Sequence, residues 1–137
     1  MTYRYTGTIP SEIVTVCGLI DEQIERIRET CAMDEGSLMD LRLILSELLI
    51  NGCEHGNGND DKKRLFLSVD VAPEWIDVVV QDEGDGFTYV PRVECCSQMD
   101  CGGRGLRIVH ELVDEMAVEK NLVHCRWRRQ NLHRQAH

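Results

Sequence analysis

The stretch Ser46 to Asn57, SELLINGCEHGN, decides how the rest of the chain is read. Leu48, Leu49 and Ile50 belong to a core, yet Glu47, Asn51 and His55 recur every fourth residue. On a helix that spacing aligns a carboxylate, an amide and an imidazole along one stripe. Such a stripe is either the wet side of an amphipathic helix or a row of ligands set beside the leucines. HGNGN then supplies flexible backbone directly after it.

Upstream, SLMD (Ser37 to Asp40) resembles a capping box that opens this helix, which is expected to run to about His55 with Leu38, Leu41, Leu45 and Leu48 inward. An earlier helix is predicted from Ser11 to about Thr30, where Ile13, Val16, Cys17, Ile20, Ile24 and Ile27 recur at helical spacing. Before it, Tyr3, Tyr5, Gly7 and Ile9 alternate with polar residues as a first strand closed by Pro10. Downstream, GNGNDD ends the helical pattern. Two strands follow, RLFLSVDV and WIDVVVQD, joined by a short turn at Ala72 to Glu74. The second is almost continuously apolar, as a central strand would be. A glycine turn, DEGDGF, and an irregular segment to Asp100 lead to CGGRGL. That cluster opens a helix with Leu106, Val109, Leu112, Val113 and Met116 inward, and MAVEKN and VHCRWRR read as a closing hairpin. The order strand, two helices, two strands, helix, two strands predicts an α+β fold. It is a two-layer sandwich with helices on one face of a mixed, mainly antiparallel sheet.

The length of 137 residues fits one domain, taken as 1–137, with its own core. No apolar run approaches the roughly 20 residues that span a bilayer, and MTYRYTGTIP lacks the pattern of a signal peptide. Seven cysteines, an odd number, fit reduced thiols and a cytoplasmic location. Net charge is −9, with five Lys or Arg and no Asp or Glu from Lys120 onward, so the first 119 residues carry −14 once those five are taken off. A body that acidic argues against nucleic acid and anionic membrane as partners. The basic end is either a surface for an acidic partner or a last strand with a solvated tail.

Two further motifs carry chemistry. DEGDGF is a plain turn or a ring-binding site: Asp82 at a strand end can accept a hydrogen bond from an exocyclic amine, and Gly84 and Gly86 let a flat ring approach the backbone. GGRG at a helix start offers unpaired N–H groups and the positive end of the helix dipole to an anion, with Arg104 adding charge. Neither a P-loop nor a dinucleotide fingerprint is present. Cys95, Cys96, Cys101, His124 and Cys125 do not fall at the usual zinc spacings. The vicinal Cys95–Cys96 pair is a conceivable redox sensor without a sign of a lowered pKa.

Taken in order, E-x-x-x-N-x-x-x-H-G, D-x-G-x-G-F and G-G-R-G-L resemble the Bergerat or GHKL ATP-binding fold shared by gyrase, histidine kinases and MutL. Within that group the chain looks most like the bacterial anti-sigma-factor serine kinases, over nearly its whole length. The resemblance implies ATP and Mg²⁺ as cofactors. Asn51 would bind the metal, and Glu47 would be the general base for an incoming hydroxyl. Asp82 would read the adenine amine over a floor of Gly84 and Gly86. Gly103, Arg104 and Gly105 would hold the phosphates, and residues 88–102 would form a lid. His55 matches the pattern, and helix capping or packing under the lid serves it equally well. The implied partners are a sigma factor and an anti-sigma antagonist, with a homodimer as the assembly. An ATP-binding partner switch without kinase activity is the alternative. A sensor histidine kinase would need a dimerising helical hairpin for which the chain has no room. Two features depart from the family pattern: KNLVHCR stands where a Gly-Thr pair usually opens the last strand, and Cys101 stands where a basic residue often precedes the lid glycines.

Overall fold

The computed structural model describes residues 2–84 and 101–129, with residues 101–104 described by their backbone alone. Strand β1 (Tyr3–Pro10) leads into helices α1 (Ile13–Thr30) and α2 (Glu35–Asn51). A π turn over Gly52–Gly56 follows, then the hairpin β2 (Arg64–Val71) and β3 (Trp75–Gln81). Helix α3 (Cys101–Leu112) and the hairpin β4 (Glu115–Glu119) and β5 (Leu122–Arg128) complete the order.

The five strands form one sheet in the order β1-β2-β3-β5-β4. All four pairings are antiparallel, so the sheet is wholly antiparallel among the described residues where a mixed one was expected. The chain reaches the β4 edge through α3 and then turns back, so that β5 slots in beside β3. Pro10 is tolerated because β1 is an edge strand and needs no second ladder.

Alternation along the strands decides which face is covered. Leu65, Leu67, Val69 and Val71 of β2, Ile76, Val78 and Val80 of β3, and Val123, Cys125 and Trp127 of β5 are buried. They pack in one cluster with Val16, Ile20, Ile24 and Ile27 of α1, Leu38, Leu41, Leu45, Leu48 and Leu49 of α2, and Leu106 and Val109 of α3. Each of the larger aliphatic side chains contributes about 1.5–3 kcal/mol by leaving water. The opposite face is more mixed: Ser68, Val79, His124 and Ala117 stand in register across it. There His124 Nε2 lies 2.9 Å from Asp77 Oδ1.

Local chemistry moves several boundaries. Helix α2 is capped by Asp34, whose carboxylate accepts from the Ser37 N–H at 3.3 Å and from the Ser37 hydroxyl at 2.6 Å. Ser37 is thus inside the helix as the returning partner of the cap, not the cap itself. Helix α1 starts at Ile13 and not at Ser11, because Ser11 is buried at the β1 exit. Cys17, expected inward, is exposed, and Leu19 takes the buried place. Met116 lies in β4, past the end of α3, and packs against the core only in part. In the basic end, Arg126 and Arg128 of β5 stack on Trp75 with guanidinium carbons 4.4 and 4.6 Å from the ring centroid. Residues 130–137 of that end, the Cys95–Cys96 pair, Gly86 and all of the expected lid before Cys101 lie outside the described residues.

Candidate nucleotide site

Glu47 and Asn51 occupy the last turn and a half of α2, set beside Leu48 and Leu49, which bind that end of the helix into the core. His55 does not continue their stripe. From Gly52 the backbone changes to π spacing, the turn widens, and His55 emerges exposed.

The Asn51 Oδ1 atom is buried and has no hydrogen-bond partner among the described residues. An orphaned buried acceptor costs about 1–3 kcal/mol, and it persists where something outside the chain supplies the partner. A hard divalent cation takes neutral amide oxygens of this kind, so the residue fits Mg²⁺.

Glu47 meets the third motif directly. A Cβ placed on Gly105 would overlap the Glu47 carboxylate. Glycine at 105 thus lets the first turn of α3 close onto the carboxylate of α2. Gly103 lies in that same turn, where main-chain N–H groups lack intrahelical partners, and Arg104 follows it. Gly105 lies just past them, so its visible role is steric.

Asp82 follows β3 immediately and is only 8% exposed. Its Oδ1 accepts the Gly84 N–H at 2.7 Å, and no hydrogen bond to Oδ2 is found among the described residues. Burial raises its pKa above the ordinary carboxylate value, while the Gly84 N–H and the charge of Lys63 pull it back down. Gly56, at the end of the π turn, faces this carboxylate so closely that a Cβ there would overlap it. A Cβ on Gly84 would in turn strike the Gly56 carbonyl oxygen. Two glycines therefore allow the end of the π turn and the Asp82 loop to touch. Gly84 has this packing reason to be glycine whether or not a ring lies over it.

Two asparagines that sequence reading passed over hold the Asp82 turn. Asn121, in the β4–β5 turn, donates from Nδ2 to the Asp82 carbonyl at 2.5 Å, and its own carbonyl accepts the Asp82 N–H at 3.0 Å. Lys120 before it has a left-handed φ of 55°. Lys120 and Asn121 open the stretch that stands where the family usually has a Gly-Thr pair. The left-handed backbone suits a glycine at 120, and Asn121 makes its own polar contact to the Asp82 main chain. Asn57, buried at the exit of the π turn, accepts the Glu83 N–H at 2.7 Å. A signal for these two was present only as loop asparagines, a residue type that favours turns anyway.

The end of α2, the turn after β3 and the start of α3 thus converge beside one end of the sheet. An antiparallel sheet backed by helices, with a carboxylate and an orphaned amide one turn apart and a buried aspartate opposite, defines the histidine-kinase-like class of ATP-binding domain. The model of the histidine kinase-like ATPase domain matches residues 14–127, and the chain belongs to that family. Among characterised relatives, it is 24% identical over 122 residues to the serine-protein kinase RsbW of Bacillus velezensis, covering 82% of this chain and 76% of that protein. It is 23% identical over 113 residues to the RsbW of Bacillus subtilis, covering 76% and 71%. To the anti-sigma F factor of Geobacillus thermodenitrificans it is 27% identical over 90 residues, covering 62% of each chain. No helix among the described residues is long and apolar enough to cross a membrane.

Proposed function

We propose that the protein is a Mg-ATP-dependent serine kinase and anti-sigma factor, acting on an anti-sigma antagonist and sequestering a sigma factor. The observation that carries this reading is the buried Asn51 Oδ1, without a partner among the described residues, one helical turn after Glu47. Membership of the ATPase family and the names of the relatives support it.

In this reading Asp82 accepts the adenine amine, with Gly84 and Gly86 beneath the ring. The first turn of α3, with Gly103 and Arg104, holds the phosphates, and Gly105 leaves room for Glu47. Asn51 would hold Mg²⁺, which when bound offsets phosphate charge. The hydroxyl oxygen of a substrate serine attacks the γ-phosphorus, and Glu47 takes its proton. The bond from the γ-phosphorus to the bridging oxygen breaks, and ADP leaves with that electron pair. The protein works in the cytoplasm as a homodimer, without nucleic acid or membrane as a partner.

The first test is calorimetric titration with ATP, with and without Mg²⁺. Wild type should bind with Mg²⁺ dependence, Asn51→Ala should lose that dependence, and Asp82→Ala should lose binding. Transfer of labelled γ-phosphate to a purified antagonist should then vanish in Glu47→Ala while ATP binding persists. Equal transfer by that variant would remove Glu47 as the base. One observation favours the alternative, a partner switch without kinase activity: the half-buried Glu47 carboxylate lies so close to Gly105 that a Cβ there would overlap it, which narrows its access to a substrate. ATP binding with no transfer to any antagonist would select it.

A further inference from the structure

The structure assigns to Asn57 the role of positioning residue for adenine recognition: it fixes the direction of the Asp82 carboxylate without touching the nucleotide. This rests on the reading of Asp82 given above.

Asn57 is 2% exposed, and its side chain ties together three segments far apart in sequence. Nδ2 donates to the Ser11 hydroxyl at 2.5 Å and to the Arg64 carbonyl at 3.0 Å, which anchors the amide to the β1 exit and the β2 entrance. With Nδ2 so engaged, the amide cannot flip, and Oδ1 is left facing the Glu83 N–H at 2.7 Å. Glu83 is the residue after Asp82, and its own carboxylate accepts the Arg64 N–H at 2.6 Å. The Asp82–Glu83 peptide is therefore held on the helix side by Asn57, as Asn121 holds Asp82 on the sheet side.

That peptide controls the carboxylate. The Gly84 N–H that binds Asp82 Oδ1 is the next donor along the chain, so rotating the Asp82–Glu83 peptide carries it away. Released, Asp82 loses the hydrogen bond that leaves Oδ2 as its free acceptor. A site that recognises one amine by one acceptor discriminates only while that acceptor is fixed. Asn57 thus acts on selectivity for the base, whereas its bonds to Ser11 and Arg64 act on stability.

The test compares ATP with purine riboside triphosphate, which lacks the exocyclic amine, by calorimetry on wild type, Asn57→Ala and Ser11→Ala, with melting temperatures alongside. Wild type should prefer ATP by at least about tenfold. In Asn57→Ala the preference should fall to within about threefold, through weaker ATP binding and little change for the analogue. Ser11→Ala, which removes an anchor but not the Glu83 contact, should melt lower and keep the wild-type ratio. A wild-type ratio in Asn57→Ala, or a parallel loss of both ligands, would overturn the positioning role and leave the ATP site standing. A ratio lost in Ser11→Ala, where the Glu83 contact is kept, would also overturn it, even if Asn57→Ala does not fold. Wild type that binds neither ligand would sink both the inference and the nucleotide reading on which it rests.

Discussion

Gly56→Ala should damage the protein out of proportion to one methyl group. The added Cβ would overlap the Asp82 carboxylate, which has no easy retreat. Its Oδ1 is held by the Gly84 N–H and its main chain by Asn121. Carbon needs about 3.5 Å from its neighbours, so either Asp82 swings out or the π turn moves off the loop. Overpacking costs about 1–3 kcal/mol, and loss of a hydrogen bond to a charged group adds about 1.5–3 kcal/mol. Alanine returns roughly 0.5–1 kcal/mol of chain entropy, leaving a net loss of about 2–5 kcal/mol. In a chain of this size that lowers the melting temperature by roughly 10 °C. Gly18→Ala is the control, because a Cβ there meets nothing within 4 Å on an exposed stretch of α1. It should stabilise by about 0.5–1 kcal/mol. Denaturant unfolding of both variants, with ATP titration of Gly56→Ala, makes the comparison. A Gly56→Ala protein as stable as Gly18→Ala, with unchanged ATP affinity, would refute the packing argument.

Asp82→Asn should unfold later than wild type at neutral pH while losing ATP. The raised pKa of Asp82 means that its ionised form is disfavoured in the folded state, so the stability tied to its proton is present below the ordinary value of 3.8 and lost as pH rises through the folded pKa. The advantage of Asn should therefore shrink in acid, as urea unfolding at several pH values will show. Lys120→Gly should stabilise by roughly 0.5–1 kcal/mol, the left-handed strain of about 1–2 kcal/mol less the entropy of glycine. Its thermal melt should rise with the Asp82 contact intact. Among the described cysteines, alkylation at neutral pH followed by mass spectrometry should modify Cys17 first, since it is exposed. Cys125, its thiol pushed up to about 12 by burial, should react only on unfolding.

The sequence was most informative where one periodicity ruled a long element. The leucines of α2 and the alternation in β2 and β3 landed where their spacing put them, because burial follows the 3.6 and 2 repeats. Boundaries were harder. Asp34 displaced Ser37 as the cap because both residue types can cap, and only the chain direction before the helix decides between them. The π turn left no mark in residue type, so the expected stripe extended one residue too far, to His55. Glu47 and Asn51 were legible because a carboxylate and an amide beside leucines conflict with simple amphipathicity. Asn57, Asn121 and the steric duties of Gly56 and Gly105 were not, since each depends on a partner tens of residues away. Gly84 reads from the sequence as a turn former or as the floor beneath a ring, and the Gly56 carbonyl adds a packing reason that no local pattern shows.

The widened turn at Gly52–Gly56 also limits which changes in length the chain can accept. Five residues at π spacing lag an α-helix by roughly a quarter turn. Asn57 reaches Ser11, Arg64 and Glu83 only after that lag has accumulated. Deleting one residue from this segment to regularise the helix would rotate the amide off all three partners and draw Gly56 away from Asp82. The neighbouring run Asp60–Lys62 is exposed and mostly in turns, and a change of length there would disturb the turn bonds of Asp60 to Asn57, Lys62 and Lys63 but no buried side chain. Homologous chains that keep this site should therefore hold constant the count from Asn51 to Asn57 and vary the length just beyond it.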